Sequence, residues 1–227
     1  MKVLARLIPL TLLACGGDDP IVLDLDTDAE PLPASMDFES DAVSRLVVET
    51  VNGTVDLQPG GSDGGVSVNL VRAEPDETWD YFLQDKVLAM WPLCDNGVIG
   101  CSSGFALGAP STMRADIKTV SGTVTLTDYT GEVIVENTQG LVNGVRLSGG
   151  ELTVSGNSAT FNIEYTGEPG IITLTTVDGA INLDVPRGTY ALDVNTNGVK
   201  SITDLMDGDG PVIIISSTSG DVTVRGI

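Results

Sequence analysis

Apolar and polar residues alternate along most of this chain in short runs, and glycine punctuates the runs. The clearest stretch sets Met113, Ala115 and Ile117 against Arg114, Asp116 and Lys118, the pattern of a half-buried strand. Pairs of apolar residues two positions apart follow it: Val124/Leu126, Val133/Val135, Val145/Leu147, Leu152/Val154, Phe161/Ile163, Ile172/Leu174, Ile181/Leu183, Leu192/Val194, Ile213/Ile215 and Val222/Val224. That spacing places both members on one face of a strand, so each pair predicts two inward-facing side chains. Gly122, Gly131, Gly140 and Gly149 fall at intervals of nine. Gly170, Gly179 and Gly188 resume the interval, and Gly198, Gly210 and Gly220 loosen it.

The same words recur around these glycines. Thr119-Val-Ser-Gly-Thr-Val-Thr-Leu126 is echoed by Thr50-Val-Asn-Gly-Thr-Val-Asp-Leu57 and by Thr176-Val-Asp-Gly-Ala-Ile-Asn-Leu183. A looser version is Thr218-Ser-Gly-Asp-Val-Thr-Val224. Each reads as a strand end, a turn and a new strand, with the glycine expected to supply a positive φ. One such unit cannot hide its apolar pair from water. Stacking units about 4.8 Å apart sets pair upon pair and makes a continuous core. With two or so units per coil, the repeats predict about five coils and a length of about 25 Å. The expected fold class is therefore all-β, a single-stranded β-helix (β-solenoid) with short glycine turns; a β-sandwich, which also uses short strands and regular turns, is the alternative.

The words Val51-Asn-Gly-Thr-Val, Val120-Ser-Gly-Thr-Val, Val177-Asp-Gly-Ala-Ile and Thr218-Ser-Gly-Asp-Val resemble those of the bacterial "putative-adhesin" family of repetitive β-solenoid domains. The resemblance covers roughly residues 38–227 and fits the segment 73–109 least well. It implies a right-handed, single-stranded β-helix at the cell envelope, without an agreed catalytic site.

The first residues follow a different logic. Lys2 and Arg6 precede a short apolar run, Leu7–Ala14, too short to span a bilayer and typical of a secretory signal. Leu12-Leu-Ala-Cys15 followed by Gly16-Gly17 resembles a bacterial lipoprotein signal. That resemblance implies that Cys15 becomes the lipid-modified first residue. It also implies a lean toward the outer membrane, because Gly16 stands where Asp would favour the inner one. Burial of acyl chains at about 0.8 kcal/mol per CH₂ makes more than one chain a stable anchor. The expected organisation is a signal at 1–14, an acidic tether at 15–36 and a β-solenoid domain at 37–227. Pro20, Pro31 and Pro33 mark the tether. Asp24, Asp26 and Asp28 have calcium-loop spacing, but Ala29 and Ser35 stand where such a loop needs Gly and Glu.

Composition narrows the function classes. The chain has 27 Gly, 4% aromatic residues and a formal charge of -21, which removal of Lys2 and Arg6 would take to -23. No basic stripe is present, so neither nucleic acid nor a polybasic contact with anionic lipid is expected. The acidity reads as the solubility of a strand-rich surface. With 0 His, the Ser-His-Asp and Cys-His nucleophile systems and most zinc hydrolase sites fall away.

Few residues remain as candidates for chemistry. Pro59-Gly-Gly-Ser-Asp-Gly-Gly65 lacks the Lys-Ser/Thr ending of a phosphate loop and reads as a plain turn. Residues 73–109 hold Trp79, Tyr81, Phe82, Trp91 and Phe105, with Cys94 and Cys101. Tyr81–Leu83 and Val87–Trp91 predict two strands around Gln84-Asp85-Lys86. In an oxidising compartment Cys94 and Cys101 are expected to form a disulfide. Trp79, Tyr81 and Trp91 are the candidate ligand contacts if exposed, and otherwise a cap for the solenoid end. Asp204, Asp207 and Asp209 form the one acidic turn where a carboxylate-based glycan-cleaving site would be sought; a polar turn is the plainer reading. Together these features predict no enzyme, no metal and no cofactor. They predict a lipid-anchored structural or adhesive protein, with surface polysaccharide or protein as partner.

Overall fold

The computed structural model describes residues 32–72, 77–93 and 102–227, whose seventeen strands belong to one hydrogen-bonded sheet. They are β1 (Ser35–Phe38), β2 (Arg45–Glu49), β3 (Val55–Pro59), β4 (Val66–Val71), β5 (Thr78–Gln84), β6 (Val87–Leu93), β7 (Gly104–Ala109), β8 (Arg114–Thr119) and β9 (Thr123–Thr127). Then follow β10 (Val133–Asn137), β11 (Leu141–Gly156), β12 (Thr160–Thr176), β13 (Ile181–Val185), β14 (Thr189–Thr196), β15 (Lys200–Thr203), β16 (Met206–Ser217) and β17 (Val222–Gly226). The described residues contain no α-helix. The chain is all-β, as its alternation predicts.

The sheet curls into two parallel ladders. One runs β6, β2, β8, β10, the second halves of β11 and β12, β16 and β14. The other runs β7, β3, β9, the first halves of β11 and β12, β13, β17 and β15. One strand from each ladder makes a layer, and eight layers at strand spacing span about 34 Å. Antiparallel pairing is confined to β1 with β4, β4 with β7, and β5 with β6. The hairpin around Asp85 and Lys86 forms as predicted, with both residues at positive φ (50° and 65°).

Register makes the core. Ala115, Val133, Leu152 and Ile172 lie opposite one another in successive layers, and so do Ile117, Val135, Val154 and Leu174. In the second ladder Val124, Val142, Phe161, Ile181 and Val222 form one column. All of these side chains are buried. Burying each of the aliphatic ones contributes roughly 1.5–3 kcal/mol, so the columns outweigh any single polar contact.

One predicted pair is displaced. Val145 is only half-buried, and the inward positions of that strand are Val142 and Gly144. Leu147 is buried from the corner instead, and a Cβ on Gly144 would lie 2.7 Å from Leu147 Cδ1. The side chain missing at Gly144 is thus supplied by a neighbour three residues on. Periodicity could not show this, because β11 bends through Arg146, Gly149 and Gly150 at positive φ.

The recurrent word has a different cause from the one its composition suggests. Gly53, Gly122, Gly140, Gly179 and Gly220 do not adopt positive φ. They are needed because layers touch there: a Cβ on Gly122 would lie 1.8 Å from the Gly53 carbonyl oxygen, and one on Gly220 would lie 1.9 Å from that of Gly179. The threonine that opens the word is a two-way fastener. Thr176 Oγ1 accepts from the Gly179 N–H (3.3 Å) and donates to the Asn157 carbonyl of the adjacent layer (3.1 Å). Thr119 does the same with Gly122 and Val51. At Asn137 an amide replaces the hydroxyl and donates to the Gly122 carbonyl (2.9 Å).

Layer order departs from chain order at both ends. The β2/β3 layer lies between β6/β7 and β8/β9. Likewise β16/β17 lies between β12/β13 and β14/β15. Simple sequential coiling is corrected by this arrangement, and the repeats from β8 onward fill six layers where about five were expected. The fold also begins slightly earlier than residue 37: β1 starts at Ser35, and the Ala34 carbonyl accepts from the Leu70 N–H.

Candidate functional site

Outward positions of the second ladder form columns as regular as the core. Thr125, Asn143, Asn162, Asn182 and Thr223 occupy one of them, one residue per layer. Alternation turns these residues to solvent because their neighbours face inward. The amides are chained together: Asn182 Nδ2 donates to Asn162 Oδ1 (2.9 Å), and Asn162 Nδ2 donates to Asn143 Oδ1 (3.4 Å). Beside them Glu164, Asp184 and Arg225 make a second column. Arg225 grips Asp184 with Nε (3.0 Å) and Nη2 (2.6 Å). Between the columns lies a shallow open groove of about 350 Å³, lined by the three asparagines, Glu164 and Asp184. It presents hydrogen-bond donors and acceptors at layer spacing.

The first ladder carries charge on its outer face. Asp116 accepts from Arg45 Nε (2.5 Å) and lies 3.3 Å from Arg114, which also reaches Glu132 (2.8 Å). Partial burial pushes the Asp116 carboxyl upward, but the two guanidinium groups outweigh it and hold the carboxyl below its ordinary range. This is a self-neutralised network on the sheet surface.

The aromatic candidates lie at the end of the stack formed by β1 and β4–β7. Trp79 is enclosed at 1% exposure, and its indole N–H donates to the Pro33 carbonyl (2.8 Å). Its ring meets Phe105 edge-on at 5.8 Å and lies 5.6 Å from Tyr81. Tyr81 and Trp91 are half-buried and keep part of their surface accessible. Asp204, Asp207 and Asp209 do not converge on a shared point. Asp207 accepts from the Leu192 N–H (3.1 Å), and Asp204 lies 3.9 Å from Arg187. Among the described residues no group of three or more His, Cys, Asp or Glu side chains is placed to hold a metal ion. No helix among them is long and apolar enough to cross a membrane. Cys15, Cys94 and Cys101 lie outside the described residues.

The asparagine column is the feature that pairwise reading of apolar residues passes over. Its signal is nevertheless present, since Asn143, Asn162 and Asn182 are nineteen and twenty residues apart, one layer each.

No protein family matches this chain, and no curated protein matches its sequence. Among solved structures, one described as a "putative cell adhesion protein" from Clostridium sporogenes is similar at a TM-score of 0.44 and 10% identity, covering 87% of this chain and 100% of that one.

Proposed function

We propose that this chain is a β-solenoid, right-handed as parallel crossovers nearly always are, held at the cell envelope by lipid on Cys15. It serves as a structural or adhesive surface and not as a catalyst. The observation that supports this reading is the in-register repetition of polar side chains along a shallow outer groove, above all Asn143, Asn162 and Asn182. A single hydrogen bond contributes only about 0.5–1.5 kcal/mol net. Repeated once per layer against a repeating partner, such contacts add up through effective concentration. The formal charge of -21 disfavours polyanions, so the partner is a neutral, hydroxyl-rich polymer such as a surface polysaccharide.

The test is a binding assay of purified chain against neutral envelope polysaccharides. Replacing Asn143, Asn162 and Asn182 together with alanine is expected to weaken binding at least tenfold. Binding that survives the triple change would reject this face as the contact. Quenching of tryptophan emission by the polysaccharide would move the contact to the half-buried Trp91. Cys15→Ala is expected to release the chain from the membrane fraction; retention there would reject the anchor.

A further inference from the structure

One end of the stack is covered and the other is open. At the first end β4 pairs antiparallel with β7, and β5 with β6, closing over the last layer. At the other end the outermost strands are β14 and β15, and among the described residues nothing pairs beyond them. Three core columns end there on apolar residues: Leu192, Val194 and Ile202. The fourth, which runs through Phe161, Ile181 and Val222, ends on Lys200. Lys200 Nζ donates to the Val194 carbonyl at 3.0 Å, so the side chain reaches from β15 to β14.

We infer that Lys200 is the end-stop of the ladder, a cation at a core position that keeps the β14/β15 edge from accepting the same edge of a second copy of this chain. Layer order follows from the same physics. Two layers compete for the place against β12/β13: residues 189–203, next in the chain, and residues 206–226. Chain order would set Lys200 between Ile181 and Val222, enclosing an ammonium in an aliphatic column. An unpaired buried charge is strongly unfavourable. The rival layer brings Ile213, Ile215, Val222 and Val224, all at 0% exposure. The layer with the lysine therefore goes outermost. A layer added beyond β14 and β15 would bury Lys200 in turn and crowd its bond to the Val194 carbonyl of β14. Charges at inward positions are one way natural edge strands resist pairing. Without the charge, Leu192, Val194 and Ile202, the last at 37% exposure, would face a neighbour as an apolar edge. Two copies would then meet about a two-fold axis, β14/β15 against β14/β15.

Sedimentation velocity over a wide concentration range tests this on the purified full-length chain in one detergent-containing buffer. Wild type and Lys200→Arg are expected to keep one sedimentation coefficient throughout. Lys200→Val is expected to show a dimer whose fraction rises with concentration. Lys200→Thr, neutral and β-branched, is the second variant should the valine form fail to fold by circular dichroism. The inference is overturned if the folded neutral variants stay at the wild-type coefficient, or if Lys200→Arg associates as they do. A wild-type chain whose association the neutral variants leave unchanged overturns it equally.

Discussion

Adding one methyl group at Gly179 probes the contact on which layer spacing depends. A Cβ there would lie 1.8 Å from the Ala159 carbonyl oxygen, whereas real Cβ contacts stay beyond 3.0 Å. Both partners are backbone-bound, so no rotamer change relieves the clash. The two layers must part locally by at least about 1.2 Å, the difference between those distances. The bonds nearest the clash are Val177 N–H and Asp178 N–H to the Asn157 carbonyl (3.0 Å each) and Phe161 N–H to the Ala180 carbonyl (2.9 Å). At about 0.5–1.5 kcal/mol net each, losing all three costs about 1.5–4.5 kcal/mol. The entropic benefit of replacing glycine by alanine returns only about 0.4–1 kcal/mol. Gly179→Ala is therefore expected to destabilise by about 1–4 kcal/mol. At Gly198, in the outermost layer, the nearest carbonyl is 2.7 Å away, so Gly198→Ala is expected to cost clearly less. Urea denaturation of the two variants and wild type, analysed with a common slope, measures both values. Equal stability of Gly179→Ala and wild type, or a larger loss at Gly198, would refute the layer-contact explanation of the glycine word.

Three more outcomes follow from the packing. Leu147→Ala is expected to cost about 2–5 kcal/mol by uncovering the Gly144 gap; Gly144→Ala should be harmful alone but milder in that background, a coupling readable by a double-mutant cycle. Trp79→Phe should cost about 1 kcal/mol through the lost bond to Pro33, while Trp79→Ala should cost about 3–5 kcal/mol; in both, emission should shift to the red as only Trp91 remains, and an unshifted spectrum would contradict the enclosure of Trp79. For Asp116→Asn the sign follows from a folded carboxyl held below its unfolded value of about 3.9. Wild type should exceed the variant by about 1 kcal/mol at neutral pH, a modest figure because Arg45 is 41% exposed and screened. That advantage should persist above the unfolded value and vanish as pH falls through the folded one; an advantage that grows in acid would contradict the network.

Much of the architecture was legible because alternation is a local property. The pairs Phe161/Ile163 and Ile181/Leu183 read as inward residues, and they are. What was not legible depends on contacts between residues distant in the chain. The Thr-x-x-Gly word announces a turn, yet its reason lies in a carbonyl one layer away, visible only once Gly122 sits against Gly53. Layer order was hidden for the same cause, since residues 189–203 and 206–226 both alternate. The lysine at position 200 was the one local hint. The site was least legible: outward residues are constrained by solvent alone, so Asn143, Asn162 and Asn182 gain meaning only when stacked.

Because the β16/β17 layer is interior, this end of the molecule cannot be completed in the order in which the polypeptide emerges from a ribosome. Residues 189–203 arrive first and have no lasting seat until residues 206–226 have slotted beneath them. A chain cut short after Thr203 would lack Ile213 and Ile215, the residues against which Leu192 and Val194 stack. The seating of residues 189–203 thus depends on residues that follow them in the chain, a dependence that runs against the direction of synthesis.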